Sequence, residues 1–141
     1  MCAFFIVYAE TATYEIAPKP IEMDVARFAE GLKTLFPGIE LNIVPEDNIP
    51  MKNTAVFFDH FNGYPDNGIG GELDRQNILF IEGNSSTVAV AKVVRLYRSL
   101  VPESYRLYVS ADWAGEEGVF ELLENASEAD VVESVRRVEN N

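Results

Sequence analysis

Apolar residues recur with two different periods along this chain, and the changes of period mark its elements. "CAFFIVYAE" (2–10) is almost continuously apolar and aromatic. It is short and rich in strand formers, and reads as an interior strand covered on both faces. "TYEIA" (13–17) is placed to complete a hairpin before Pro18 and Pro20 end it. From Glu22 the period lengthens. Val25, Phe28, Ala29, Leu32, Leu35 and Phe36 form one stripe, with Arg27, Glu30 and Lys33 opposite, which predicts an amphipathic helix stopped by Pro37 and Gly38.

"ELNIV" (40–44) and "TAVFFD" (54–59) return to strand character around the turn-rich "EDNIPMKN". Gly, Pro, Asn and Asp then dominate residues 60–76, "HFNGYPDNGIGGELDRQ", which predicts one long loop. "NILFIEG" (77–83) reads as a strand, and Asn84 or Ser85 is placed to cap a helix reaching Leu100. That helix carries Val90, Val93, Val94, Tyr97, Leu100 and Val101 on one face, holds Lys92, Arg95 and Arg98 elsewhere, and is closed by Pro102. "YRLYVSAD" (105–112) and "GVFELLE" (118–124) predict two more strands. "SEADVVESVRRV" (127–138) predicts a last helix, with Ser127 and Asp130 at capping-box spacing.

The two longer helical stretches resemble each other. "VARFAEGLKTLFP" (25–37) and "VAKVVRLYRSLVP" (90–102) share Val, Ala, Leu and Pro in the same phase. "TYEIA" answers "ILFIE", "ELNIV" answers "RLYVS", and "TAVFF" answers "GVFEL", so residues 11–59 and 76–124 read as a pseudo-repeat of strand, helix, strand, strand within a single domain, 1–141. The expected class is α+β: an antiparallel sheet with helices packed on one face, because each helix has one apolar stripe to bury, plus an extra N-terminal strand and a C-terminal helix.

In element order this plan is similar to the duplicated βαββ proteins of the gyrase-inhibitor and drug-effector-binding family. The resemblance implies a groove between the halves that binds cationic drugs through an acidic residue, or inhibition of a topoisomerase by the protein itself. The acid would be sought among Glu15, Glu82 and Glu121. The sequence departs from the plan at its start, where "CAFFIVYAE" is surplus.

Charge narrows the partners. The 141 residues include 23 acidic and 11 basic side chains, a formal charge of -12, which sets the chain against direct contact with nucleic acid or an anionic membrane. A single cysteine, Cys2, allows no intramolecular disulfide and suggests a reducing, cytoplasmic setting. The N-terminal apolar run lacks a basic leader region and is shorter than a membrane span.

Little in the sequence supplies chemistry. His60 follows Asp59, but neighbours on a strand point to opposite faces, and the reading is a solvated loop-edge histidine. One histidine and one cysteine make no zinc set, and "DHFNGYPDNGIGGE" lacks the alternation of a calcium loop. Gly68, Gly70 and Gly71 are not followed by the Lys-Ser/Thr of a phosphate loop. The expectation is no metal, no cofactor and no enzymatic activity. What remains is segregated charge beside aromatic residues. From Asp112 onward there are nine acids against Arg136 and Arg137, and that segment opens on the lone tryptophan in "ADWAGEEG".

The reading that follows is a non-enzymatic acidic protein that inhibits a basic protein partner, with a bacterial toxin-neutralising immunity protein as the concrete picture. Tyr64 and Trp113 would be the anchors, and Asp66, Glu72, Asp74, Glu116 and Glu117 the charged rim. The alternative is a module binding cationic small molecules through Glu15, Glu82 or Glu121. Pairing along a free strand edge, giving a homodimer, is compatible with both.

Overall fold

A computed structural model describes residues 4–9, 21–45, 53–61 and 68–140, the side chains of Glu116 and Glu117 excepted. Seven strands run in chain order: β1 (Phe4–Ala9), β2 (Glu40–Ile43), β3 (Thr54–Asp59), β4 (Gly70–Asp74), β5 (Leu79–Glu82), β6 (Leu107–Ala111) and β7 (Val119–Leu122). The helices are α1 (Val25–Leu35), α2 (Thr87–Leu100) and α3 (Glu128–Glu139), with a short 3-10 turn at Gly115–Gly118. The strands form one sheet in the order β2-β3-β4-β5-β1-β6-β7, every neighbouring pair antiparallel. The fold is α+β.

Register decides which side chains share a face, because directly opposed residues project the same way. Phe5 lies opposite Ile81 and Ala111, Val7 opposite Leu79 and Val109, and Ala9 opposite Leu107, which in turn faces Leu122. All of these are buried. The helices cover them. α1 contributes Phe28, Ala29 and Leu32, α2 contributes Ala89, Val90, Val93, Val94 and Tyr97, and α3 contributes Val131, Val135 and Val138. Phe28 sits centrally, edge-on to Phe58 of β3 at 6.3 Å and to Tyr97 of α2 at 6.4 Å. A fully buried side chain of this size contributes roughly 1.5–3 kcal/mol.

The helix starts follow local chemistry. Asp24 accepts from the Arg27 amide and Ser86 from the Ala89 amide. Both satisfy donors that the first helical turn leaves unpaired. The cap of α2 is therefore Ser86, not Asn84 or Ser85. Ser127 and Asp130 form the expected capping box on α3. Thr87 donates to the Glu139 carboxylate at 2.9 Å, tying α2 to the end of α3.

Two expectations need correcting, and one side chain goes beyond what was expected. The stretch 60–76 is not one loop, because it contains β4. Gly71 explains both the strand and its poor sequence signal: a Cβ there would strike the Phe80 carbonyl and lie 2.9 Å from the Phe58 ring, so only a bare backbone fits between β3 and β5. β1 is an interior strand, but only one of its faces is covered by helices, and Phe4, Ile6 and Tyr8 on the other are half-buried. Arg98, read from the sequence only as lying off the apolar stripe of α2, is buried as well. It is 6% exposed, its guanidinium donating to the carbonyls of Tyr105 and Pro102 at 3.0 Å each.

"TYEIA" lies outside the described residues. Of the proposed repeat, the counterpart strands β2 and β6 take different places, β2 at a sheet edge and β6 inside it. No helix among the described residues is long and apolar enough to cross a membrane.

Candidate functional site

The sheet face away from the helices carries the candidate site. Asn42 lies opposite Phe57, Phe57 opposite Glu72, Glu72 opposite Phe80, Phe80 opposite Ile6, and Phe4 opposite Glu82. Asp59 pairs with Gly70. The pleat therefore sets aromatic rings and carboxylates together on a surface that no described helix covers. Phe4 and Phe80 meet edge to face at 6.3 Å. Between the strands is a shallow concavity of about 270 Å³ bordered by Phe4, Phe57, Asp59, Glu72 and Glu82.

Two of the three carboxylates are held by hydrogen bonds. Glu72 accepts from the Thr54 hydroxyl at 2.8 Å, and Asp59 accepts from the Phe61 amide at 3.1 Å. Partial burial raises the Glu82 carboxyl above the usual carboxylate range, and the charge of Asp59 adds to the effect. Gly70 makes room for this arrangement, since a side chain there would run into the Glu82 carboxylate and the Phe61 ring. Among the described residues, no Lys or Arg forms an ion pair with Asp59, Glu72 or Glu82. At the far end of the face the situation differs. Arg106 pairs with Glu121 at 3.0 Å and lies 5.7 Å from the centre of the Tyr108 ring, which stacks on Tyr8 at 5.9 Å.

The structure thus joins Glu72 and Glu82, which the sequence reading had placed in two separate hypotheses. Glu121 shares their face but is neutralised by Arg106. Asp74 is engaged locally: its Oδ1 accepts from the amides of Gln76 and Ile78 at 2.9 Å each, and burial raises its pKa despite those bonds. Trp113 is 39% exposed and meets Phe5 at 4.9 Å, so it packs toward the covered side of the sheet instead of joining the acidic face. Glu15, Tyr64 and Asp66 lie outside the described residues. Glu116 and Glu117 belong to the 3-10 turn before β7, and their side chains are not described.

Sequence reasoning missed Phe4, Phe57, Asp59 and Phe80. A signal was present: "FFD" (57–59) and "FIE" (80–82) both place an aromatic residue two positions before an acid, which puts ring and carboxylate on one face of a strand. His60, expected to be solvated, is 4% exposed and packs at 5.5 Å from the Phe36 ring. Its position beside Asp59 turns it to the opposite, covered side. Among the described residues no cluster of His, Cys, Asp or Glu is arranged to hold a metal ion. Comparison with family models, with curated proteins and with solved structures finds no match for this chain.

Proposed function

We propose that the chain is a non-enzymatic binding protein whose open sheet face receives a basic segment of a protein partner. The observation that carries this reading is the set of Asp59, Glu72 and Glu82, without an ion-pair partner among the described residues, between the rings of Phe4, Phe57 and Phe80. A guanidinium or ammonium group laid on such a ring gains about 0.5–2 kcal/mol, more as water is excluded. The carboxylates supply the opposite charge, and the chain's formal charge of -12 speeds encounter with a positive surface. Occupying the basic surface that a nuclease offers to phosphate, as an immunity protein in the cytoplasm would, is the concrete form of this activity.

The concavity also bears on the alternative of a cationic small molecule. Sites for drug-sized ligands hold about 300–1,000 Å³ and enclose most of the ligand. A shallow site of about 270 Å³ suits an arginine or lysine side chain better. The direct test is fluorescence anisotropy with a labelled oligo-arginine peptide at low and moderate salt. Binding should be saturable and should weaken at least tenfold in the double charge reversal Asp59→Lys, Glu82→Lys. Equal affinity in the wild type and this variant would reject the assignment of the face, and a thermal shift with aromatic monocations but not with the peptide would favour the small-molecule reading.

A further inference from the structure

A second site lies on the opposite side of the molecule. The groove of about 550 Å³ across the outer surface of α2 is walled by α1 on one side and by the segment joining β7 to α3 on the other. Its size falls within the range of small-molecule sites. Leu35, Leu96, Val101 and Leu123 give it apolar surface, and Lys92, Arg95 and Arg98 bring three positive charges into it.

In a chain with twice as many acids as bases, three cations in one groove would be expected to find carboxylates. Glu103, Glu124 and Glu128 line the same groove. Yet Lys92, Arg95 and Arg98 form no ion pair among the described residues. The two arginines are held by main-chain carbonyls instead. Arg95 is tied through Nε to the Ala126 carbonyl at 3.3 Å. Arg98 is fixed by the carbonyls of Tyr105 and Pro102, and its buried Nε has no acceptor among the described residues. Neither Glu103 nor Glu124 comes within ion-pair distance of Lys92, Arg95 or Arg98. The hydroxyls of Thr34 and Ser99 turn back onto the carbonyls of Glu30 and Leu96. The donors left for an occupant are cationic.

We infer that this groove binds a small organic phosphate, its apolar body against Leu35, Leu96 and Leu123 and its dianion between Lys92 and Arg95, with Arg98 a fixed charge beneath. A dianionic phosphate satisfies two cations at once, and the arginine fork matches its geometry. Inorganic phosphate alone leaves the apolar wall unused, and a carboxylate leaves one cation unmatched.

The test is titration of the isotopically labelled chain with phenyl phosphate, inorganic phosphate and benzoate at constant ionic strength, followed by backbone amide and arginine Nε–H resonances. Phenyl phosphate should give saturable shifts confined to residues around Thr34, Lys92–Ser99 and Leu123–Glu128, and should bind about tenfold more tightly than either other probe. The double variant Lys92→Gln, Arg95→Gln should weaken it by a further tenfold or more while leaving the remaining resonances in place, which shows that the fold is retained. Equal shifts from sodium chloride, unaltered affinity in the double variant, or equal binding of benzoate or inorganic phosphate would each overturn the inference. These variants are remote from Asp59 and Glu82, so the oligo-arginine assay stands or falls separately.

Discussion

The Tyr97 hydroxyl on α2 donates to the main-chain carbonyl of Asn77 in the turn between β4 and β5. Asn77 has a φ of 63°, the one non-glycine residue in the left-handed region among those described, and its side-chain Nδ2 donates to the Ile21 carbonyl at 2.6 Å. Three chain segments converge there. Burial pushes the Tyr97 phenol well above its ordinary range, so it stays protonated and donating under all native conditions. Tyr97→Phe leaves the Asn77 carbonyl without this donor and should cost about 1–3 kcal/mol in urea unfolding. Spectrophotometric titration should show one fewer ionising tyrosine in the folded wild type than in the unfolded chain.

Gly71→Ala tests the placement of β4. The added methyl group meets the Phe80 backbone, which cannot yield as a side-chain end can. Destabilisation by about 1–3 kcal/mol is expected, measured as a shift of the urea midpoint. A neutral effect would mean that β4 is not packed between β3 and β5 at this register.

The Glu82 carboxyl gives stability a defined dependence on pH. Its folded-state pKa is raised, by partial burial first and by Asp59 second, so the folded chain holds this proton more tightly than the unfolded chain does. Its contribution is complete below the unfolded value of 4.5 and is lost as pH rises through the folded value. This part of the stability should therefore decline as pH rises from 4.5 through the raised folded value, and Glu82→Gln should decline less steeply. Asp74 is raised in the same direction, so the variant retains part of the slope. Denaturant melts at several pH values compare the two slopes directly.

Ser127→Ala removes one half of the capping box on α3, where the Ser127 hydroxyl accepts from the Asp130 amide at 3.1 Å. A loss of about 0.5–2 kcal/mol is expected. Amide exchange in the first turn of α3 should accelerate more than exchange in α2, because the defect is local.

What the sequence disclosed and what it withheld divide along physical lines. α1, α2 and β3 were readable because their apolar residues keep a fixed period within the element itself. β4 was not, since "GGELD" has little apolar alternation and owes its conformation to β3 and β5 on either side. The burial of Arg98 was equally hidden: a charged residue near a helix end is tolerated inside only when carbonyls from the following turn receive it, and that is a tertiary arrangement. The open face was hidden for a related reason. Phe57 and Phe80 read as core residues in isolation, and only the pairing through Glu72 shows them on the side that no described helix covers.

The place of β1 has a kinetic consequence. β2 through β5 pair in sequence as a meander, and β6 pairs with β7, so both groups assemble from neighbouring segments of chain. β1 precedes all of them and yet lies between the two groups, flanked by β5 and β6. Its ladders close long loops, an ordering cost met before any of its contacts form. Without it, the meander and the β6–β7 hairpin would be separate sheets with raw edges. Once it has entered, neither can leave without stripping hydrogen bonds from the same strand, and the two halves of the molecule are bound to unfold as one.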